Sequence, residues 1–365
     1  MSAERPAPAA YAALRERLRQ CPTRWLITGV AGFIGSNLLE ALLELDQEVV
    51  GLDNLSLGKR ANLEQVRSAA PARRWARFTF IEGDIRSLTT CQRASHGADY
   101  VLHQAAIGSV PRSLADPLAS HDNNVNGQLN VLLAARDAGV RRCVYASSSS
   151  VYGDSPVLPK REDQIGQPLS PYAATKRINE IYAAVVARAY GVSVIGLRYF
   201  NVFGPRQDPD GAYAAVIPRW IGAMIRAQPV YLNGDGETSR DFCYVDNVVQ
   251  ANLLAACSTG VEAESEVFNI AAGGRTTLST LFEALRQRLE AAFPYLGRLR
   301  PIQRPTRPGD VPHSHADISK AASVLGYCPS HSLEQGLDAS LGWYRRELGP
   351  PRREMAQERA VWAGT

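Results

Sequence analysis

The pairing best suited to chemistry is Tyr172 with Lys176, in Ser170-Pro171-Tyr172-Ala173-Ala174-Thr175-Lys176. At the start of a helix, an i, i+4 spacing puts both side chains on one face. A phenol with an ordinary pKa of about 10 is a poor base at neutral pH. A neighbouring ammonium favours the phenolate and lowers that value, which makes the phenol a usable proton acceptor. Upstream, Ser147-Ser148-Ser149-Ser150 follows a strand-like run ending at Ala146. In a parallel sheet the C-terminal strand ends face the ligand crevice, so Ser148 can hydrogen-bond a reacting hydroxyl and shorten the proton path to Tyr172. A serine run is more often a flexible loop, but Val151-Tyr152-Gly153 behind it is not loop-like.

A second feature is Gly29-Val30-Ala31-Gly32-Phe33-Ile34-Gly35, directly after the apolar run Arg24 to Thr28 and before a helical stretch from Ser36 to Leu45. Its G-x-x-G-x-x-G spacing differs from the usual G-x-G-x-x-G. The physics is similar: glycines permit a tight turn and let the backbone approach a pyrophosphate at a helix N-terminus. Asp53 closes the second strand, where a carboxylate accepts from both ribose hydroxyls and repels a 2′-phosphate, favouring NAD over NADP. A turn-capping role for Asp53-Asn54 is the competing use, and Lys59 and Arg60 lie close by. Asp84 and Ile85, after the third strand, are placed to border the adenine. The positive nicotinamide would add to Lys176 in favouring the Tyr172 phenolate.

These residues need a frame. Strands are expected at Arg24 to Thr28, Val49 to Asp53, Phe78 to Ile81, Tyr100 to His103, Cys143 to Ala146 and Val194 to Tyr199, with helices at Gly127 to Ala138 and Tyr172 to Tyr190. Short, near-continuous apolar strands alternating with helices indicate a parallel sheet covered on both faces. The fold class is therefore α/β, a Rossmann-type doubly wound sheet with a smaller C-terminal α/β substrate domain. The expected organisation is a helical extension at 1–23 (helix near Tyr11 to Arg19), a dinucleotide-binding domain mainly at 24–200, a substrate domain mainly at 201–348 and a tail at 349–365, with the chain free to cross between the two domains. Leu278 to Ala291 is expected as a helix of the substrate domain.

Composition narrows the function classes. The 365 residues are 45% hydrophobic, enough for a sizeable core. Forty basic and 36 acidic residues are interspersed for a net charge of +4. No basic stripe marks a nucleic-acid binder, while a small anionic ligand such as a diphosphate is compatible. Cys21, Cys91, Cys143, Cys243, Cys257 and Cys328 are scattered without metal-ligand spacing and read as reduced packing residues, with no metal site. With no leader-like segment or membrane-length apolar run, the expectation is a cytoplasmic protein without a membrane partner.

The glycine turn, Asp53, the Ser148 region and Tyr172/Lys176 together resemble the extended short-chain dehydrogenase/reductase family. Arg198-Tyr199-Phe200-Asn201-Val202-Phe203-Gly204-Pro205 and Ser239 to Val245 resemble its sugar-nucleotide branch, and the likeness runs from about Arg24 to Tyr344. His103 to Ser113 and Gln207 to Pro218 are similar to bacterial UDP-N-acetylglucosamine 4-epimerases of surface-polysaccharide (O-antigen) pathways. The resemblance implies that Tyr172 removes the proton of the sugar 4-OH while C4 gives hydride to NAD. A 4-keto sugar then turns over in the site and hydride returns to its opposite face. The cofactor set implied is Gly29, Gly32, Phe33, Ile34, Gly35, Asp53, Asn54, Gly58, Asp84, Ile85, Gln104, Asn123, Tyr172, Lys176 and Val202.

For the UDP-sugar, the resemblance implies Gly108, Ser109, Ser148, Ser149 and Tyr172 around the hexose and Asn201 at the diphosphate or sugar. Arg240 and Arg307 would pair with the diphosphate, where guanidinium geometry suits phosphate oxygens. Asp310 would meet the uridine ribose, and Tyr213, Ala214, Tyr231 and Asn233 the uridine pocket. Ser314 occupies the position of a size gate, small enough to admit a 2-N-acetyl group. A homodimer through helices near Leu114 to Ala138 and Tyr172 to Tyr190 is also implied. The chain departs from the family in lacking Gly or Ser between Tyr172 and Lys176. It also lacks the Thr-Asp-Glu of dehydratases near the serine run, which argues against loss of water. The alternatives are a UDP-glucuronate or UDP-N-acetylglucosaminuronate 4-epimerase or decarboxylase, and a non-catalytic NAD-binding regulator.

Overall fold

The computed structural model describes residues 9–210, 214–258, 265–305 and 311–349. Seven strands, β1 (Arg24–Thr28), β2 (Glu48–Asp53), β3 (Phe78–Glu82), β4 (Tyr100–His103), β5 (Arg142–Ser148), β6 (Val194–Tyr199) and β7 (Glu266–Ile270), form one parallel sheet in the order β7-β6-β5-β4-β1-β2-β3. The order reverses between β1 and β4, and a ligand crevice opens outside the C-terminal strand ends at such a point. This is a Rossmann-type α/β sheet.

Alternate residues feed the two faces of the sheet. Trp25 and Ile27 of β1 pack with the helices Phe33–Glu44, Val245–Cys257 and Ser319–Leu325, whereas Leu26 packs with Leu88–Ser95, Gly127–Asp137 and Pro171–Tyr190. Burial on both faces is why these strands read as continuous apolar runs. The N-terminal helix, Ala9–Gln20, inserts Leu14 and Leu18 into the first of these layers. Fully burying a leucine contributes about 1.5–3 kcal/mol. The Leu18 carbonyl also accepts from Gln47 Nε2 at 2.7 Å, and Arg17 donates to the Cys257 carbonyl at 3.1 Å.

A second core lies beyond the sheet. The helices Val216–Ile225, Leu278–Glu290 and Leu333–Leu348 meet there, with Trp220 edge-on to Phe282 at 6.1 Å. Three short two-stranded pairings join this part: Val202–Phe203 with Cys243–Tyr244, Ser239–Arg240 with Thr276–Thr277, and Tyr231–Asn233 with Ile302–Arg304. β7 comes from well beyond residue 201 and pairs with β6, so the chain crosses back into the large sheet. The glycine-turn helix begins at Phe33, three residues before the expected start, because Gly32 is extended at φ −78°, ψ 178° and serves as its N-cap. Among the described residues no helix is long and apolar enough to cross a membrane.

Candidate active site

Gly29 turns the chain off β1 with φ +71°, its N–H donating to the Leu52 carbonyl at 2.7 Å. A Cβ on Gly35 would lie 2.1 Å from the Gly29 carbonyl oxygen, so the helix can start this close to the turn only without a side chain there. No side chain caps Phe33–Glu44 at its first turn. Its leading N–H groups and the helix dipole therefore face the crevice as an anion cradle. Phe33 and Ile34 send their side chains into the two cores on either side, so the turn presents backbone to the crevice.

A cavity of about 100 Å³ beside this turn is lined by Gly29, Gly32, Asp53, Asn54, Gly58, Ile85, Gln104 and Asn123. Asp53 accepts from the Ala31 N–H at 2.9 Å and the Leu55 N–H at 2.8 Å, which fixes the carboxylate against the turn. Burial raises its pKa, and those two N–H groups pull it back. Asp84 stands outside this lining and holds Asn54 by a 2.9 Å hydrogen bond. Arg86 pairs with Asp84 and holds its carboxyl down at about 2. Gln104 is oriented from two sides: its Nε2 donates to Asn252 at 3.0 Å and its Oε1 accepts from the Tyr199 hydroxyl at 3.1 Å.

Ser170 caps the helix Pro171–Tyr190, its Oγ accepting from the Ala173 N–H at 3.1 Å. One turn inside, the Lys176 ammonium lies 5.9 Å from the Tyr172 ring centre and donates to the Ala146 carbonyl at 2.8 Å. Ser148, the last residue of β5, draws the Tyr172 pKa down, while its Oγ donates to Ser150 Oγ at 3.1 Å. Burial outweighs that and raises the phenol. The lowering expected from Lys176 is not what governs Tyr172 here: enclosure does, and Ser148 supplies the opposing effect. Lys176 is itself brought down to about 8 by burial, against the raising influence of Glu180. His103, on β4, is buried and pushed down to about 3, with its Nδ1 2.7 Å from the Thr28 hydroxyl.

A larger cavity, about 1050 Å³, opens over the second core and is lined by Asn201, Val202, Ala214, Tyr231, Asn233 and Arg240 among others. Asn201 adopts φ +29°, with its carbonyl accepting from the Cys243 N–H at 3.2 Å. Arg240 donates to the Ser239 and Pro312 carbonyls at 2.9 and 3.2 Å. Ser314 donates its N–H to the Ser239 carbonyl at 3.0 Å and stands beside His313, which does line the cavity. Gly108, Ser109, Ser148, Ser149, Tyr172 and Lys176 are outside both linings. Gly108 has open space where a side chain would begin, and Ser109 caps the short helix Val110–Ala115. Tyr213, Arg307 and Asp310 lie outside the described residues.

Several residues of the site escaped the sequence reading. Arg304 stacks on Tyr231, its guanidinium carbon 3.4 Å from the ring centre, and Arg219 and Arg226 line the same cavity. The pairing of Ile302–Arg304 with Tyr231–Asn233 creates the Arg304 contact, and no local pattern announces it. Asn124 accepts from the Ile107 N–H at 2.8 Å and donates to the Ile107 carbonyl and Thr175 Oγ1, both at 3.1 Å. It thereby ties the loop after β4 to the Tyr172 helix. Its signal was the unusual Asp122-Asn123-Asn124-Val125-Asn126 run, which forms a π-turn.

Comparison with known proteins gives a consistent result. Residues 25–271 match the NAD dependent epimerase/dehydratase family. A putative UDP-glucose 4-epimerase of Methanocaldococcus jannaschii is 35% identical over 88% of this chain and 98% of its own length. The structure of a UDP-N-acetylglucosamine 4-epimerase from Methanobrevibacter ruminantium M1, in complex with UDP-N-acetylmuramic acid, superposes with a TM-score of 0.81 at 36% identity, covering 89% of this chain and 99% of that one. That of UDP-glucuronic acid 4-epimerase from Bacillus cereus, with UDP-glucuronic acid and NAD, gives 0.77 at 30% identity over 89% and 99%.

Proposed function

The chain belongs to the NAD dependent epimerase/dehydratase family, and from that premise we propose that it is a UDP-sugar 4-epimerase interconverting UDP-N-acetylglucosamine and UDP-N-acetylgalactosamine. The observation that carries the chemistry is the Lys176 ammonium one helical turn from Tyr172, 5.9 Å from its ring centre, with Ser148 at the end of β5 drawing the phenol's pKa down. The chain's own groups suit the cofactor: an uncapped helix start, a turn that a Cβ at position 35 would fill, and a carboxylate at Asp53. Bound there, NAD would supply the hydride acceptor that the sugar C4 needs and the hydride for its return.

Tyr172 accepts the proton of the 4-hydroxyl, with Ser148 bridging to the same oxygen. Lys176 supplies the positive charge that offsets the burial of the phenolate. The 4-keto sugar turns over beside Tyr172 and Ser148 while its diphosphate stays on Arg240, in the wall of the large cavity, and on Arg307. Tyr172 then gives the proton back to the 4-oxygen as hydride returns to the opposite face of C4. Asn201 touches the diphosphate or sugar, Gly108, Ser109 and Ser149 the hexose, and Asp310 the ribose. Tyr213, Ala214, Tyr231 and Asn233 surround the uridine. Gly29, Gly32, Gly35, Asp53 and the residues grouped with them in the sequence hold NAD. The acetylhexosamine preference is supported by Ser314, a small residue beside the His313 wall. The place of the enzyme is surface-polysaccharide synthesis in the cytoplasm. The chain works as a homodimer, for which Leu114, Leu118, Ile181 and Val185 supply exposed apolar side chains on the expected helices.

The test is to incubate the purified protein with UDP-N-acetylglucosamine, without added cofactor, and follow the anomeric proton NMR signals. Formation of UDP-N-acetylgalactosamine, lost in Tyr172→Phe, is the expected outcome. No conversion even with NAD added, together with turnover of UDP-glucuronate, would replace the acetylhexosamine with a uronic acid.

A further inference from the structure

Tyr172, Lys176 and Glu180 follow one another at i, i+4 and i+8, so one face of a single helix carries a phenol, an ammonium and a carboxylate in order. The reaction above uses the first two and leaves Glu180 without a part. The Glu180 side chain is 2% exposed, and four donors surround it. Oε1 accepts from Ser147 Oγ at 2.7 Å and Arg198 Nε at 2.8 Å. Oε2 accepts from the second arm of Arg198 at 2.9 Å and from Arg177 at 3.2 Å. Ser147 lies between Ala146, whose carbonyl accepts from the Lys176 ammonium, and Ser148, which draws the Tyr172 phenol's pKa down. One carboxylate therefore clamps the end of β5, the reacting helix and, through Arg198, the end of β6.

A buried ion pair is a poor device for stability alone, because apolar replacements of similar volume are often neutral or better. Its placement directly behind the reacting pair gives it a different use. We propose that Glu180 is a positioning residue of the active site, whose carboxylate fixes Ser147 and serves as the counter-charge to the Lys176 ammonium. This rests on the reading of Tyr172 and Lys176 as the reacting pair.

The surrounding groups leave that task to Glu180. On β4, His103 is held uncharged by burial, and its only charged influence is Lys176. On β5, the Tyr145 phenol is raised by burial and stays neutral. On β6, Arg198 is charged but engaged by both oxygens of Glu180. On the helix itself, Tyr172 is raised, and Arg177 points its guanidinium at Glu180. Burial draws Lys176 down to about 8, and Glu180 is the group that holds it up. Without the carboxylate the Lys176 ammonium would be easier still to deprotonate. Tyr172 would then lose the cation that supports its phenolate.

The chain's composition makes this measurable, because Lys59, Lys160, Lys176 and Lys320 are its only lysines. The protein as purified, with its cofactor, is labelled with [ε-13C]lysine, and proton–carbon correlation spectra are followed against pH. The Lys176 signal is identified by its loss in Lys176→Arg. Glu180→Gln is expected to lower the Lys176 midpoint by about one pH unit or more, and the alkaline limb of kcat should move with it while KM changes little. Glu180→Asp, which keeps the charge, should lower it less. Because Glu180→Gln leaves Arg198 buried without its partner, Glu180→Gln/Arg198→Met repeats the test with both charges removed. An unmoved midpoint in a folded, active variant overturns the proposal and leaves Glu180 a purely structural residue. A wild-type protein that turns over no UDP-sugar overturns the functional reading instead, and with it any site role for Glu180.

Discussion

Replacing Gly35 by alanine is expected to break the cofactor turn while leaving most of the fold in place. The new Cβ would stand 2.1 Å from the Gly29 carbonyl oxygen and 2.8 and 2.9 Å from the Gly29 carbonyl carbon and Val30 Cα, against 3.4 Å for ordinary contact. All three neighbours are backbone, so no flexible side chain can give way. Either the helix Phe33–Glu44 or the turn must move by about 1 Å. The helix is held by Leu38, Leu39 and Leu42 in the core, so the turn is the part that yields. Overpacking of this kind costs about 1–3 kcal/mol. If the full amount appears as displacement of the pyrophosphate cradle, NAD binding weakens by up to roughly a hundredfold. The assay is NAD released from the purified protein on denaturation, followed by calorimetric titration of NAD into the stripped protein. Gly274→Ala is the control, since that exposed position has nothing within 4 Å of a new Cβ. A Gly35→Ala protein that keeps a full complement of NAD and melts like the wild type would refute the steric argument.

Further outcomes can be stated from the same geometry. Tyr172→Phe removes only the hydroxyl that meets Ser148, so kcat should fall by about 10²–10⁴-fold with little change in melting temperature; steady-state kinetics and a thermal melt check both. Asp241 is fully buried and raised to about 6 by desolvation, although the Ala272, Gly274 and Ala316 N–H groups oppose the rise. Its folded pKa exceeds its unfolded value, so the stability it contributes is present at low pH and is lost as pH rises through about 6. Relative to Asp241→Asn, the wild type should therefore lose about 2 kcal/mol between pH 4.5 and 7, read from urea midpoints at each pH. Leu118 is 78% exposed and Val185 55% exposed. If those helices join two chains, Leu118→Glu/Val185→Glu should give a monomer by light scattering without loss of helical content, and an unchanged mass would remove this face from the interface.

What could be read along the chain is what arises within a few residues. The strands β1, β4 and β6 begin and end where their apolar runs do, because burial on both faces leaves no polar interruption. The glycine turn needs only its neighbours, since Gly29 and Gly35 are brought together by one loop. Tyr172 and Lys176 share a face because the helical period alone places them there. Extending the same period by one turn reaches Glu180, but nothing local says that Ser147 and Arg198 meet it.

The tertiary structure decided the rest, through contacts between segments far apart in the chain. β7 enters the large sheet by pairing with β6, and Arg304 comes over Tyr231 because two short strands run side by side. It also decided the electrostatics of the site. Spacing suggested a phenol lowered by its lysine, yet burial in the folded chain raises Tyr172 and lowers Lys176. Covalent spacing and helical period are set by the chain itself, whereas the desolvation of a charge depends on which other segments exclude water from it, and only the folded arrangement supplies those.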